Sequence, residues 1–368
     1  MVFSNPQSEK CHFRFARRLF FQQSATYVGA TNSQIRLQTF DWRPSATRET
    51  LKARAQLLAA VRAFFAARAV LEVETPLLSS AAATAPHLDS FRTCYTGPGA
   101  HGLELYLHTS PEFAMKRLLA AGSGPIYQIC KVFRNGERGR LHNPEFTMLE
   151  WYRLGFDHQA LMNETEELVT DVLGEAVLRE PSERLTYADA FVRHAEVNPF
   201  AASMLELRDC ARAHGIEPVT GLTMDDRDGW LDLLLSHVVG PKLGQQRLCF
   251  LYDYPASQAA LARIRPGSPA QPYPVAERFE LYMNGIELAS GYHELGDGIE
   301  QRRRFEADVE KRAELCTALV PMDERLLAAL ESGLPDCAGV AVGVDRLVML
   351  ATGFAAIDET LSFPLDRA

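Results

Sequence analysis

The sequence lacks long apolar runs, since no stretch approaches the roughly 20 consecutive apolar residues that a membrane-spanning helix requires. It also lacks a Cys-x-x-Cys pair, and its seven cysteines are odd in number and widely spaced. That spacing argues against a disulfide framework and against a structural zinc site. The two absences favour a soluble protein of the reducing cytoplasm with no membrane partner.

An excess of positive charge is absent as well. The chain has 38 Lys and Arg residues against 47 Asp and Glu residues, which gives a formal net charge of −9. It therefore has no overall attraction to nucleic acid, although an acidic protein can still carry a local basic patch. Internal repeats are also missing, which argues against a solenoid.

What is present indicates one large domain. A chain of 368 residues with 47% hydrophobic residues can bury a substantial core. Residues 1–41 are rich in Arg, Gln, Ser and Thr, and we expect a disordered extension there, with a transit peptide as the alternative. We expect a single folded domain over residues 42–368, with a mainly helical insertion at about 156–245.

The apolar pattern predicts an antiparallel α+β fold. Apolar residues at helical spacing predict a long helix from Thr47 to Ala69, and the alternating run at 70–78 predicts a strand that is stopped by Pro76. Further strands are expected at 125–134 and 146–153. Because strands and helices do not alternate regularly along the chain, we expect an antiparallel sheet flanked by helices instead of a doubly wound one.

A β-hairpin is predicted around Asn284 and Gly285, since Asn-Gly between two alternating runs favours a two-residue turn. In that register Glu280 and Glu287 are diagonal neighbours, at a spacing of roughly 7 Å. Two carboxylates so placed can share Mg²⁺, although the pattern also fits a solvated acidic face. The side chains expected on one face are Glu280, Tyr282, Glu287 and Ala289.

A second group of functional residues lies in the segment FRNGERGRLHNPEFTMLEWY, residues 133–152. Arg134 ends one strand and an Arg- and Gly-rich loop follows. Arg holds two phosphate oxygens with its planar fork, while Phe146 can stack on a base. An ordinary hairpin with surface charges is the alternative. The residues expected on one face of the second strand are Phe146, Met148, Glu150 and Tyr152.

A third group lies in GVAVGVDRLVML, residues 339–350. Gly343 allows the backbone to approach a nucleotide closely, and Arg346 at the start of an apolar helix can reach a terminal phosphate. Structural packing of a strand-to-helix turn is the alternative interpretation.

The order of these segments resembles the three signature motifs of the class II aminoacyl-tRNA synthetases, over about residues 42–368. The stretches TSPEF, FRNG…HNPEFTMLEWY, GIELASGYHEL and GVAVGVDRLVML look like the lysyl branch. The resemblance implies a class II catalytic core that activates lysine with ATP and Mg²⁺ as an aminoacyl-adenylate. Motif 1 of this family lies at a subunit interface, so the resemblance also implies a homodimer.

The resemblance assigns roles residue by residue. Arg134 and Arg346 would be the catalytic pair that holds the ATP phosphates, and Glu280 and Glu287 would bind Mg²⁺. The full set of expected ATP-binding residues is Arg134, Asn135, Gly136, Asn143, Phe146, Glu287, Leu288, Gly343 and Arg346. The expected substrate-binding residues are Ser110, Pro111, Glu112, Glu150, Tyr152, Glu294 and Ala341. A neutral or acidic substrate would leave the carboxylates in this second set uncompensated.

The expected acceptor is a protein. Only about 45 residues precede the first helix, and they do not resemble the five-stranded barrel with which lysyl-tRNA synthetases read tRNA, so no tRNA is expected. This arrangement is similar to the family that ligates lysine, preferentially (R)-β-lysine, to a lysine side chain of translation elongation factor P. Ala341 also matches that family, because lysyl-tRNA synthetases generally have Gly there.

Two departures and two alternatives accompany this interpretation. Gly136 stands where the family usually has a Glu that contacts adenine, with Glu137 next along the chain, and Ser290 stands where relatives usually have Asn. The alternatives are a truncated lysyl-tRNA synthetase and a non-catalytic regulatory subunit. The presence of both motif arginines and both predicted metal ligands argues against a non-catalytic subunit.

Overall fold

The computed structural model describes residues 42–99, 101–174, 178, 180–217, 222–269 and 271–368, so the extension expected at 1–41 lies outside the described residues. The helices within this part are α1 (Arg48–Ala67), α2 (Glu112–Ala120), α3 (His158–Leu173), α4 (Tyr187–Ala195), α5 (Met204–Ala213), α6 (Arg227–Leu234), α7 (Gly298–Glu314), α8 (Glu324–Gly333) and α9 (Val344–Thr352). None of the described helices has both the length and the apolar character needed to cross a membrane.

The strands form one large sheet and one small sheet. They are β1 (Leu71–Glu72), β2 (Leu78–Ser79), β3 (Arg92–Tyr95), β4 (Leu103–Leu107), β5 (Ile126–Phe133), β6 (Glu145–Leu154), β7 (Glu183–Thr186), β8 (Leu248–Pro255), β9 (Ile264–Arg265), β10 (Val275–Met283), β11 (Ile286–His293) and β12 (Cys337–Gly343). The large sheet has the order β1-β5-β6-β12-β11-β10-β8-β7, with β9 beside β10, and the small sheet has the order β2-β4-β3. The pairs β1–β5 and β7–β8 are parallel and the others are antiparallel, which confirms the predicted α+β class.

Helix α1 forms where the apolar spacing predicted it. Its N-cap is Thr47, whose hydroxyl accepts a hydrogen bond from the backbone N–H of Thr50. Its buried face packs into the main core, where the ring of Phe65 stacks on that of Tyr127 and meets Trp151 edge-on. Burial of this face, together with the cap, positions α1 on the sheet.

The strand predicted to stop at Pro76 is shorter than expected, since β1 covers only Leu71–Glu72. The chain pairs with the large sheet only over β1 and joins the small sheet at β2. Pro76 lies between the two short strands and has no N–H to donate to a sheet. The alternation of apolar residues also does not reflect burial, because Leu71, Leu77 and Leu78 are exposed.

The predicted hairpin register is confirmed at the turn and wrong beyond it. Tyr282 pairs with Glu287, as the two-residue turn requires, but Leu281 pairs with Ala289. The second strand thus gains one residue, Leu288, at a β-bulge. Ala289 is therefore buried in the main core with Leu281, and Ser290 takes its place opposite Glu280.

The large sheet has two differently covered faces. One face packs against α1, α3 and α9 and forms the main core. A second core lies between strands β8 and β10 and the helices α4, α5 and α6, which belong to the segment at 156–245. The described residues of this segment are mainly helical, and they also supply β7 to the edge of the large sheet.

Arg312 on α7 fixes the loop that connects β2 to β3 of the small sheet. Its guanidinium is fully buried and donates to the carbonyls of Thr84, Ala85 and Leu88. It also binds the carboxylate of Asp89 at 3.1 Å. One side chain thus satisfies several carbonyls of a loop that has little regular structure of its own.

Arg312→Met should lower the free energy of unfolding by roughly 3–5 kcal/mol, because removing one partner of a buried charged network leaves the others unsatisfied. Urea denaturation followed by circular dichroism measures this change. Arg303→Met on the same helix is the matched control, since that side chain is exposed and its ion pair with Glu300 is long at 3.6 Å. Equal stability of the two variants would contradict this role of Arg312.

Candidate active site

A cavity of about 1300 Å³ opens on the sheet face away from α1, α3 and α9. Alternate residues of four adjacent strands form its floor, because successive side chains of a strand point to opposite faces. Glu150 of β6 pairs with Ala341 of β12, which pairs with Ser290 of β11, and these three residues line the cavity. The row continues to Glu280 of β10, which lies outside the lining, where β10 contributes Arg278 instead. The β-bulge at Leu288 is what brings Ser290 into this row.

The cavity brings together all of the predicted substrate-binding residues. Its lining contains Ser110, Pro111, Glu112, Glu150, Tyr152, Glu294 and Ala341, together with Arg134. The remaining predicted nucleotide and metal residues lie outside this lining: Asn135, Gly136, Asn143, Phe146, Glu280, Glu287, Leu288, Gly343 and Arg346. The structure therefore assembles the amino-acid half of the expected site more completely than the nucleotide half.

Glu150 lies buried at the inner end of the cavity. Its carboxylate accepts hydrogen bonds from the hydroxyl of Ser110 at 2.7 Å and from the hydroxyl of Tyr152 at 2.6 Å. Burial and the nearby Glu112 carboxylate raise the pKa of Glu150 to about 7, against the opposing effect of the two hydrogen bonds. A cation placed next to Glu150 would relieve this cost.

Lys116 was not predicted from the sequence, yet it joins two of the predicted carboxylates. Its ammonium lies 2.7 Å from Oε1 of Glu112 and 2.5 Å from Oε2 of Glu294, and its side chain is 1% exposed. Burial raises the pKa of Glu294 to about 8, although Lys116 acts to lower it. The available sequence signal was the spacing of Lys116 four residues after Glu112, which places both on one face of α2.

Gly339 is required by the close packing of this group. A Cβ atom at Gly339 would lie 2.3 Å from Cε1 of Tyr152 and 2.5 Å from Oε1 of Glu294. No side chain can occupy that space without moving the phenol or the carboxylate. We call Glu112, Glu150, Glu294 and Lys116 the inner pocket.

Arg134 follows the last residue of β5 and faces Phe146 across the strand pair. Its guanidinium lies 5.2 Å from the centre of the Phe146 ring and 3.8 Å from the carboxylate of Glu137. The Gly136 backbone has a φ of +88°, a conformation that suits glycine and turns the loop away from β5. Glu137, one residue beyond the position where the family has Glu, is thereby placed beside Arg134.

Arg346 at the first turn of α9 is held by the hairpin and by the loop before β6. It donates to the carbonyl of Glu287 at 2.6 Å and to Nε2 of His142 at 2.9 Å. Desolvation and the guanidinium groups of Arg346 and Arg134 lower the pKa of His142 to about 4, so the ring is neutral and can accept this bond. His142 contacts a predicted ATP-binding residue, Arg346, but was not itself among the residues predicted from the sequence.

Asn143 and Glu280 already have protein partners. Asn143 donates to the carbonyl of Glu145 and accepts from the N–H of Leu365, so it also anchors the C-terminal segment. Glu280 pairs with Arg278 at 2.5 Å and accepts from the hydroxyl of Tyr282 at 2.6 Å. Their predicted roles in nucleotide and metal binding stay predictions.

A second set of potential metal ligands lies on the face of the sheet that α3 covers. His158, Glu277 and His293 offer atoms within 4.8 Å of one another. However, His293 already bridges Glu277 and Asp336, and Arg265 lies 3.8 Å from Glu277. These positive partners compensate the carboxylates, so the arrangement favours an ion-pair network over a metal centre.

Comparisons with known proteins agree with this geometry. A family model described as tRNA synthetases class II (D, K and N) matches residues 30–367. The elongation factor P–(R)-β-lysine ligase of Vibrio cholerae is 54% identical over 331 residues, which cover 89% of this chain and 99% of the relative. The proteins of the same name from Klebsiella pneumoniae and Salmonella typhi are 51% and 50% identical, each over 90% of this chain and 99% of the relative.

The raised pKa of Glu150 predicts a pH-dependent contribution to stability. The folded chain keeps this carboxyl protonated up to about pH 7, whereas the unfolded chain ionises it near its ordinary pKa of 4.5. Unfolding therefore releases a proton in this window, and the stability contributed falls as pH rises through it. At 1.36 kcal/mol per pKa unit, the loss relative to Glu150→Gln is up to roughly 3 kcal/mol.

Urea denaturation of the wild type and of Glu150→Gln at several pH values between 4.5 and 8 measures this difference. Glu306→Gln, at an exposed position of α7, is the control and should keep the pH dependence of the wild type. The same pH dependence for Glu150→Gln as for the wild type would contradict the prediction.

Proposed function

The chain belongs to the family of the elongation factor P–(R)-β-lysine ligases, within the class II tRNA synthetases, and from this premise we propose that it ligates lysine to elongation factor P. It would be an ATP-dependent, AMP-forming ligase that activates (R)-β-lysine in preference to α-lysine. The observation that carries the proposal is the cavity in which every predicted lysine-binding residue meets.

The inner pocket suits the substrate because it concentrates negative charge out of water. Glu150 and Glu294, with the hydroxyl of Tyr152, would surround the side-chain ammonium of lysine, while Ser110 and Glu112 would contact the other end. Each carboxylate that gains an ammonium partner is relieved of part of its desolvation cost. A substrate without positive charge brings no such gain.

The nucleotide would lie beside Arg134, Phe146 and Arg346. The two arginines would hold the phosphates, and the Phe146 ring would stack on adenine. His142 supports this role of Arg346, because a neutral ring orients the guanidinium without competing for the phosphate. At two further predicted ATP-binding residues, Gly343 at the end of β12 and Leu288 at the bulge, the backbone would come close to the nucleotide.

Glu280 and Glu287 fit Mg²⁺, since they lie diagonally across the hairpin and Mg²⁺ takes few protein carboxylates and completes its shell with phosphates and water. The bound ion would neutralise phosphate charge. Glu280 would bind it with the lone pairs that Arg278 and Tyr282 leave available. Glu287, whose side chain is 42% exposed, is the more open ligand.

The chemistry requires no nucleophilic side chain. The carboxylate of lysine attacks the α-phosphate of ATP in line, a C–O–P bond forms, and pyrophosphate leaves. The neutral amine of a lysine on the acceptor then attacks the activated carbonyl, an amide bond forms, and AMP leaves. Arg134, which lines the cavity, would bind the charge that develops on the reacting phosphate.

We propose further that the protein forms a homodimer and works in the cytoplasm. Leu71, Leu77 and Leu78 are exposed in the segment that follows α1, which the resemblance places at the subunit interface, and their exposure supports a homodimer. A monomer mass in light scattering at micromolar concentration would contradict the dimer. A ligase that acts on a translation factor would work in the cytoplasm.

The proposal is tested by offering the full chain ATP, Mg²⁺ and labelled α-lysine or (R)-β-lysine, with elongation factor P or tRNA as acceptor. Label on elongation factor P, stronger with (R)-β-lysine, is expected. Elongation factor P with acetylated lysines and the Arg346→Ala variant are the controls, and neither should give labelled product. Label on tRNA would identify a truncated synthetase, and no lysine-dependent ATP–pyrophosphate exchange would indicate a non-catalytic protein.

Ala341→Gly should raise the activation of α-lysine relative to (R)-β-lysine by roughly tenfold, because one methyl group in a pocket is worth about 1–3 kcal/mol of discrimination. Ala341 lies on the cavity floor between Glu150 and Ser290, where the two substrates would differ in the position of an amino group. ATP–pyrophosphate exchange with each lysine measures the ratio. Ala338→Gly on the same strand, facing the core, is the control. An unchanged ratio in Ala341→Gly would exclude this role.

A further inference from the structure

Lys116 occupies a position where packing alone would favour an apolar side chain. It lies on the buried face of α2 between Met115 and Leu119, which pack against Ile126 and Tyr152. Burying an ammonium there costs free energy unless carboxylates compensate it, and a buried Met or Leu would carry no such cost. The charge of Lys116 therefore points to a role beyond filling space.

The ammonium of Lys116 contacts one oxygen of each of two carboxylates. It lies 2.7 Å from Oε1 of Glu112 and 2.5 Å from Oε2 of Glu294. The second oxygen of Glu294, Oε1, lies on the Gly339 side, where a Cβ atom would come within 2.5 Å of it. Lys116 thus holds Glu112 and Glu294 at a defined separation, with Oε1 of Glu294 beside the backbone of Gly339 in β12.

The inner pocket contains three carboxyl groups and one ammonium, so it carries two negative charges when all three carboxyl groups are ionised. The neighbouring titratable groups do not alter this balance. Burial raises the pKa of Tyr152 well above its usual value and that of Cys337 to about 12, so both are neutral. Arg278, farther along the cavity, is paired with Glu280 at 2.5 Å.

We infer that Lys116 is a positioning residue whose built-in charge leaves the inner pocket with two negative charges once its three carboxylates are ionised, and thereby selects a substrate that carries two ammonium groups. This inference rests on the proposed function and deepens it, since lysine and β-lysine each carry two ammonium groups. Without Lys116 the three carboxylates repel one another, and they take up protons in place of a fixed cation.

The inference predicts a specific pH dependence of binding. In the wild type, Glu150 and Glu294 have pKa values raised to about 7 and about 8, so they bind protons as pH falls through this range. Affinity for a diammonium ligand should therefore fall as pH falls below 8. Lys116 acts to lower the pKa of Glu150 and that of Glu294, so loss of its charge raises both pKa values further. The loss of affinity then occurs at higher pH.

Isothermal titration of the full chain with 1,5-diaminopentane and with pentylamine, from pH 6 to pH 9, tests the inference. The wild type should bind the diamine at least tenfold more tightly than the monoamine. Lys116→Met should bind the diamine at least tenfold more weakly at pH 7, with the pH at which affinity is lost raised by about one unit or more. Lys116→Arg keeps the charge and should keep the pH dependence.

Lys242→Met is the matched control and should behave like the wild type, because Lys242 lies outside the cavity and binds only the carbonyl of His194 among the described residues. Far-ultraviolet circular dichroism establishes that each variant is folded. If Lys116→Met does not fold, Glu112→Gln provides the second test, since removal of one negative charge should reduce the preference for the diamine at least tenfold. A purely structural role of Lys116 would lower the folded fraction without changing the pH dependence.

Lysine-dependent ATP–pyrophosphate exchange with the same variants separates this inference from the proposed function. Diamine selectivity that depends on Lys116, without lysine-dependent exchange in the wild type, would overturn the proposed function and support the inference. Exchange with the same KM for lysine and the same pH profile in the wild type and Lys116→Met would overturn the inference. A wild type that does not prefer the diamine would overturn it as well.

Discussion

The contact of Lys116 with Glu112 and Glu294 is the constraint around which the cavity is built. It joins α2 to the residue that follows β11, and it places one ammonium against two carboxyl groups where water is largely excluded. Buried charges are tolerated only when they are paired and hydrogen-bonded, so the surrounding elements must keep these atoms together. Gly339 of β12 accommodates the arrangement by having no side chain at the point of closest approach.

A second buried carboxylate performs a similar task at the opposite face of the sheet. Asp345 of α9 pairs with Arg54 of α1 and accepts a hydrogen bond from the backbone N–H of Thr147 in β6. The three segments that the sequence relates to the synthetase motifs therefore meet at one side chain. This contact orients α9 at Asp345, and the residue after Asp345 is Arg346. The position of Arg346, which is predicted to bind phosphate, therefore depends on a buried ion pair.

Much of the fold, and the meeting of the expected substrate residues in one cavity, could be predicted from the sequence, and the failures have local physical reasons. Period-two alternation correctly placed Glu150 and Tyr152 on one face, because β6 is regular throughout. The same rule misplaced Ala289, because the bulge at Leu288 shifts every later residue of β11 to the other face. Lys116 was not predicted as a site residue, because a lysine in an amphipathic helix is usually exposed.

The sequence by itself determined the family, the α+β class, the two-residue hairpin turn and the residue types that the chemistry requires. These depend on local order along the chain, such as Asn284-Gly285 in a turn or Arg134 at the end of a strand. Only the tertiary structure decided that Ser290 faces the cavity, that His142 supports Arg346, and that Lys116 pairs with two carboxylates. These contacts join residues that are distant in the sequence or displaced by a bulge. They form only when the elements pack together, because a buried charge or polar group must then be paired with another group of the protein.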